Sequence, residues 1–513
     1  LAIVKIKMFL RVRQALKLFK YESLVRRKLI GDWESRLPRD VIAIRRHLPV
    51  VKNKYDTFGL IMELLVRMAF FDLNKDLVLD EQLVDTSGLS PRRRVRLAVD
   101  LTNQATGHQV FRHDDLEPHS DILCRQARSP ISKWPSEFGL CIQSGCVLEH
   151  GLLQGHPDVV TEFGVYDVKT TSSFRTMARE SILQVLFYYM LGKLEGRTWT
   201  LAGIILPMQG ITVCFKLSKW DWRPLWDHMH RVIEHELTPR LTTSLTVRNP
   251  HYHVGSHVNH IDGQPMIEAL KQTQYRSCQM FLYGNTAMEA KEGAKAKLQR
   301  DIPAIAQLLI DRNINYFTHA PYSLNPARKD LSDVVKRSLR HELQVTAAIG
   351  GRGVVIHTGK AKQNTRANKK ITLSTSEALN IMEHTFRKCL TEATVECPLL
   401  LETPCGGGSE LCSTPEDMAA FFSRFTASEK AKLGLCLDTC HVFVSGYWPM
   451  EYINMYTALC DIPIRLIHFN DSETHIGSCR DLHHPVGYGK IGPDELSQVL
   501  DWAAAHNVPL VRE

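Results

Sequence analysis

The second half of this chain alternates between two patterns. Strand-like runs stand at 252–258, 278–284, 316–320, 353–358, 399–403, 432–438, 464–470 and 508–513. Helical patterns fill most of the gaps, for example 298–312, 330–349, 374–393, 415–425 and 492–506. Eight strands alternating with helices over about 260 residues predict an α/β chain ending in a (β/α)8 barrel at 250–513. The polar stretch Thr238–Asn249 reads as a linker, bounded as 241–249 between the two domains.

The ends of the runs narrow the chemistry. The third run ends in His319, the fourth in His357 and the fifth in Glu402. The sixth gives Asp438 and His441, and the seventh gives His468. The loop after it gives Asp481 and His483, and the eighth run ends in Glu513. In a barrel, strand C-termini converge on the face where active sites sit. Five His and four carboxylates would gather there, and unpaired buried charge is costly. Metal removes that cost. Imidazole with carboxylate suits Zn²⁺, with Mn²⁺ or Fe²⁺ as alternatives. Nine ligands exceed one tetrahedral ion, so two or three ions are implied, and clustered metals suit phosphodiester hydrolysis. Cys440, inside Asp438-Thr439-Cys440-His441, reads as a small packed residue.

Length and composition exclude other classes. A chain of 513 residues predicts two or three domains. Apolar residues at 44% and charged residues at 23% are ordinary for a globular chain. No run of 18 apolar residues predicts a membrane span, so no membrane partner is expected. The 13 cysteines are scattered without a Cys-x-x-Cys pair, which predicts a reducing intracellular compartment, nucleus or cytoplasm, without a secretion signal. Net charge is +8, and the excess is local. The first 60 residues hold 15 Lys+Arg against 5 Asp+Glu, whereas 249–513 hold 27 against 28. A basic, mostly helical segment at 1–60, broken near Gly31 and Pro38, suggests a polyanion such as nucleic acid. Leu1 and Glu513 read as cuts in a longer product, and a missing eighth helix is expected to weaken barrel closure.

Residues 252–513 resemble the endonuclease IV family of apurinic/apyrimidinic endonucleases, a trinuclear-zinc barrel. The resemblance rests on Gly255-Ser256-His257-Val258, the His319 and His357 run ends, Leu401-Glu402-Thr403, Asp438-Thr439-Cys440-His441, His468-Phe469-Asn470-Asp471 and Asp481-Leu482-His483-His484. It implies three metal sites. His319, His357 and Glu402 would hold the first ion, with Glu402 bridging to the second. Asp438, His468 and Glu513 would complete the second, with Glu513 close to the attacking water. His441, Asp481 and His483 would hold the third. It also implies incision 5′ to abasic sites in double-stranded DNA, with the abasic sugar turned out of the duplex. His257 would lie at the DNA near the metals, and Tyr322 would serve as a minor-groove wedge. Ser323 and Ala287 depart from the family's usual wedge residues.

The first half carries a second constellation. Asp158, then Asp167 and Lys169 at i and i+2 on one strand face, then Gln184 and Tyr188 four apart on a helix follow Gly155 in order. Two acids and a lysine can bind a hard divalent ion and steer water against phosphate. The order resembles the PD-(D/E)XK nuclease superfamily, in particular its RecB/Cas4-like branch. By that resemblance Asp158 and Asp167 bind Mg²⁺ or Mn²⁺, Lys169 positions the nucleophile, and Gln184 and Tyr188 support the site. Its upstream histidine could be His113, His119 or His150. The expected domain is 61–240. Within it, 61–130 mixes short helices with loops, 139–170 is strand-like, and Asp158 closes a strand.

The reading is a two-nuclease fusion acting in base excision repair. The barrel would incise abasic DNA, and the first half would trim single strands or DNA ends. The alternatives are the same barrel fused to a non-catalytic DNA-binding module, and a metal-dependent sugar isomerase barrel.

Overall fold

The last strand of the barrel closes on the first. The computed structural model describes residues 10–37, 55–237 and 254–513, apart from 75–77, 80–85, 87, 107–109, 133, 135–137, 151–152, 172–173, 259–265, 274, 287, 366 and 368. The chain divides into two compact units, Leu1–Leu237 and Thr238–Glu513. The expected linker and Ala287 lie outside the described residues.

The second unit is a closed barrel of parallel strands in chain order. They are β1 (Gly255–His257), β2 (Ser277–Met280), β3 (Asn315–His319), β4 (Val354–His357), β5 (Leu399–Glu402), β6 (Leu433–Asp438), β7 (Ile464–His468) and β8 (Leu510–Arg512). Leu510 pairs with Ile467 of β7, and Val511 pairs with Gly255 of β1. Backbone pairing by β8 thus closes the ring. A Cβ on Gly255 would stand 2.0 Å from the Ser277 carbonyl oxygen, so only glycine fits where β1 meets β2.

One buried layer explains why the site faces inward. Phe317, Val355, Leu400, Cys436, Leu466 and Val511 pack together inside the ring, one from each of β3 to β8. Each stands two residues before His319, His357, Glu402, Asp438, His468 or Glu513. Side chains two apart share a strand face, so apolar burial of the first set aims the second into the barrel mouth.

Helices fill the gaps largely where the spacing predicts them. Ser374 and Thr414 cap Thr375–Cys389 and Pro415–Phe422 by accepting the amides of Glu377 and Asp417. Glu292–Asp311 starts six residues before the predicted helix and carries Pro303 in its interior. The sequence reading missed Thr439–Ser445, whose seven residues are all buried and so show no amphipathic stripe.

The first unit is built on a six-stranded sheet in the order Val78–Leu79, Cys141–Ser144, Val159–Thr161, Gly164–Val168, Leu201–Leu206, Ile211–Lys216. Gly164–Val168 and Leu201–Leu206 run parallel, joined through the helix Ala178–Leu194. Two expectations are corrected here. The region after residue 60 holds long helices, Tyr55–Phe71 and Pro91–Thr106, and the basic run Arg92–Arg94 opens the second. Tyr55–Phe71 crosses the boundary drawn at 60, and within the basic segment Leu10 pairs with Leu153 of this unit, while 1–9 and 38–54 lie outside the described residues. Among the described residues no helix is long and apolar enough to cross a membrane.

Candidate metal centre

Nine side chains meet at the C-terminal mouth of the barrel. His319 Nε2 lies 3.1 Å from Glu402 Oε2, and His357 Nε2 lies 3.5 Å from the same oxygen. The other oxygen, Oε1, faces His468 Nδ1 at 3.2 Å and His441 Nδ1 at 3.3 Å. His468 Nδ1 also lies 3.3 Å from Glu513 Oε2 and 3.7 Å from Asp438 Oδ2. Asp481 receives His441 Nε2 on one oxygen and His483 Nε2 on the other, each at 3.1 Å. Four groups of ligand atoms result, each within 4.8 Å; three hold the nine donors, namely His319, His357 and Glu402; Glu402, Asp438, His468 and Glu513; and His441, Asp481 and His483, and the fourth is Asp438, Cys440 and His483.

The electrostatics are those of a site short of positive charge. Burial alone would raise Glu402, but the imidazoles of His357 and His468 outweigh it and hold the carboxyl well below its usual range. Burial would likewise raise Glu513, but His468 and a hydrogen bond with His257 outweigh it and hold the carboxyl below its usual range. His441 is driven up against its burial by Asp438 and Asp481. Two groups run the other way: burial raises Asp438, and burial pushes His357 down to about 4. Its Nε2 is buried without a hydrogen-bond partner, facing Glu402. An orphaned imidazole nitrogen beside an ionised carboxylate fits a divalent ion, and the nitrogen and oxygen donors fit zinc or manganese.

Several residues that hold this geometry were not legible beforehand. His319 Nδ1 donates to the Ala320 carbonyl at 2.7 Å and His441 Nδ1 to the Thr403 carbonyl at 2.8 Å, so both rings turn Nε2 to the acids. Asn470 donates to Asp438 Oδ2 at 2.7 Å and accepts the Glu513 amide at 3.0 Å. Asp471 is buried and accepts the amides of Gly487, Gly489 and Ile491, which ties down the loop bearing Asp481 and His483. The Asn470-Asp471 pair directly after His468 was the available signal. Cys440 is buried, as its reading as a packed residue implies, yet it lies with Asp438 and His483 among candidate ligand groups. Burial first, then Asp438, raises its thiol above the ordinary range.

His257 and Tyr322 flank the cluster. His257 Nδ1 lies 3.4 Å from Glu513 Oε1. Tyr322 is 53% exposed, with its ring edge-on to His319 and His357 at 5.2 and 5.5 Å between centroids.

The first unit gathers its own candidates. Asp158 lies just ahead of the strand Val159–Thr161 and closes none, a correction to its expected place. Its Oδ2 accepts the Val168 amide at 2.6 Å, which ties it to the strand bearing Asp167. Asp167 forms an ion pair with Lys169. Gln184 donates to Asp167 Oδ1 at 3.2 Å and to the Tyr188 hydroxyl at 2.7 Å. The acid that joins them is Glu63, on the helix Tyr55–Phe71, which shares a hydrogen bond with Asp158. Burial, then the charge of Glu63, raises Asp158 well above its usual range, and burial also raises Glu63. His113 instead binds Asp100 at 2.6 Å, and His150 packs against Trp226. Glu63, Lys169 and Gln184 line a cleft of about 690 Å³.

Comparison with known proteins places the second unit. Residues 267–511 match the family described as xylose isomerase-like TIM barrel. A probable endonuclease 4 of Streptomyces coelicolor is 36% identical over 208 residues, covering 38% of this chain and 67% of that protein. One from Streptomyces avermitilis is 34% identical over 212 residues, covering 39% of this chain and 65% of that protein, slightly less than two-thirds of its length. Endonuclease IV from Thermus thermophilus aligns with 22% identity and a TM-score of 0.42, over 50% of this chain and 91% of its own. Through its second unit, the chain belongs to the endonuclease IV family.

Proposed function

We propose that the barrel is a metal-dependent endonuclease that hydrolyses the DNA phosphodiester 5′ to abasic sites, with Zn²⁺ in its three donor groups and Mn²⁺ as an alternative. The observation that carries this reading is the orientation of Glu402, whose two oxygens face different histidines and so join two donor groups. Bound there, divalent ions supply Lewis acidity to the scissile phosphate and acidify the attacking water. Glu513, beside His257 and His468 at the mouth, receives the proton as water attacks phosphorus. The P–O bond to the leaving 3′ oxygen breaks, and that oxygen takes a proton from solvent to become a hydroxyl. His441, Asp481 and His483 surround the third position. Tyr322, half-exposed at the rim, is placed to stack in the gap left by a missing base. Incision assays on abasic and intact duplexes test the reading. Turnover of sugar phosphates without incision would favour an isomerase.

A second reading concerns the first unit: a Mg²⁺- or Mn²⁺-dependent nuclease acting on single strands or DNA ends. It is favoured by the convergence of Glu63, Asp158, Asp167 and Lys169 beside one cleft. Three acids can hold a hard divalent ion, and Lys169 can orient water against a phosphate. Binding of DNA without cleavage would make this unit a binding module.

A further inference from the structure

Gln279 lies in β2, is fully buried, and touches three residues of the metal centre without belonging to any of its donor groups. Its Nε2 donates to Glu513 Oε1 at 2.9 Å and stands 3.0 Å from His257 Nδ1. Its Oε1 stands 2.9 Å from His468 Nε2. Hydrogen-bond chemistry fixes which way the amide is turned. A ligating carboxylate only accepts, so the amide NH₂ must face Glu513. The opposite amide oxygen also only accepts, so His468 Nε2 must carry a proton. The remaining nitrogen of His468, Nδ1, is therefore the one turned to Glu402, Glu513 and Asp438, at 3.2, 3.3 and 3.7 Å. His257 Nδ1 stands beside both the amide nitrogen of Gln279 and Glu513 Oε1, at 3.0 and 3.4 Å.

His319 and His441 are the opposite case. Their Nδ1 atoms bond backbone carbonyls, and Nε2 is turned to the acids. Main chain can hold those two rings because each has a carbonyl at hand. For His468 the task falls to a side chain from a strand on the other side of the ring.

We propose that Gln279 is a positioning residue for the donor group of Glu402, Asp438, His468 and Glu513: it holds His468 with Nδ1 facing that group and aligns Glu513 beside it. The proposal rests on the metal reading above. Outer partners of this kind typically change metal affinity about 10- to 100-fold when removed. The effect should be selective, because the hydrogen bonds of Gln279 run to Glu513, His257 and His468, not to His357 or to the His441, Asp481 and His483 group.

The test uses the full chain loaded with Zn²⁺, comparing wild type with Gln279→Met and Gln279→Glu. Zinc release into a colorimetric chelator is followed over time, with circular dichroism as a check of folding. Gln279→Met removes every hydrogen bond at similar size. Gln279→Glu keeps the shape and loses the donor. Each is expected to release one zinc equivalent about 10-fold or more faster and the others at wild-type rates. Release of every equivalent at the wild-type rate overturns the inference, as does equal acceleration of all, which would mean general loosening. If Gln279→Met fails to fold, Gln279→Glu decides. A wild-type chain that takes up no metal overturns the metal reading together with this inference. Normal loading with unaltered release in the variants overturns the inference alone.

Discussion

Asp438 Oδ1 accepts the backbone amide of His441 at 2.8 Å. One carboxylate therefore caps the helix Thr439–Ser445 that carries the histidine, while its other oxygen, Oδ2, is held by Asn470 and faces His468. The three-residue spacing of Asp438 and His441 is the spacing of an N-cap and the third residue of a helix. Local helix geometry thus delivers one side chain to each of two donor groups.

This dual role separates two substitutions. Asp438→Asn keeps a good capping residue but loses a charged donor, so the fold should persist while metal content falls by about one ion. Asp438→Ala should lose the metal and a further ~1 kcal/mol of stability from the cap. Elemental analysis and thermal unfolding of both variants check this. Equal unfolding temperatures for the two would contradict the capping role.

Glu402→Gln should abolish abasic-site incision while duplex binding largely survives. An amide has only one acceptor oxygen and cannot serve both histidine sets as the carboxylate does. Gel-based incision with a parallel binding isotherm measures both, and incision near the wild-type rate would sink the assignment.

Glu63→Gln, Asp158→Asn and Lys169→Ala should each remove Mg²⁺-dependent cleavage of ordinary single-stranded DNA and leave abasic incision intact. The two sets of residues belong to separate units of the chain. A wild-type chain that binds such DNA across a range of divalent ions but never cuts it would leave the first unit as a binding module.

Glu342 gives a pH signature unrelated to either site. It is buried on the helix Ser332–Ala348, one carboxyl oxygen lacks a partner, and burial pushes its pKa up to about 8 from 4.5. The folded chain therefore holds a proton that the unfolded chain releases between these values. Its contribution to stability is fully present below pH 4.5 and is lost as pH rises towards 8, with a slope of about 1 kcal/mol per pH unit at most. Glu342→Gln should remove that loss. Urea unfolding at mildly acidic and mildly alkaline pH should show the variant gaining on wild type as pH rises, and a pH-independent difference would refute the assignment.

The barrel and its donor residues were legible because both are local. Apolar runs mark the strands, and each run's inward period extends two residues, from Phe317 to His319 or from Leu400 to Glu402, into the mouth. The Asp-x-x-His spacing is legible for the same reason, since a helix cap spans only three residues. The capped helix itself, Thr439–Ser445, was not, because burial on all sides erases the periodicity that reveals a helix. Glu63 was also out of reach. It meets Asp158 across 95 residues of chain, from a helix whose spacing says nothing about that strand. Gln279 is the clearest case. Within β2 it is one polar residue in a short buried run, and only ring closure brings it against His468 and Glu513, from strands at the far end of the chain. Sequence alone determined which side chains can reach the barrel mouth, because strand period and helix caps act over a few residues. The tertiary structure decided which of their atoms face one another, because those hydrogen bonds join strands that meet only when the ring closes.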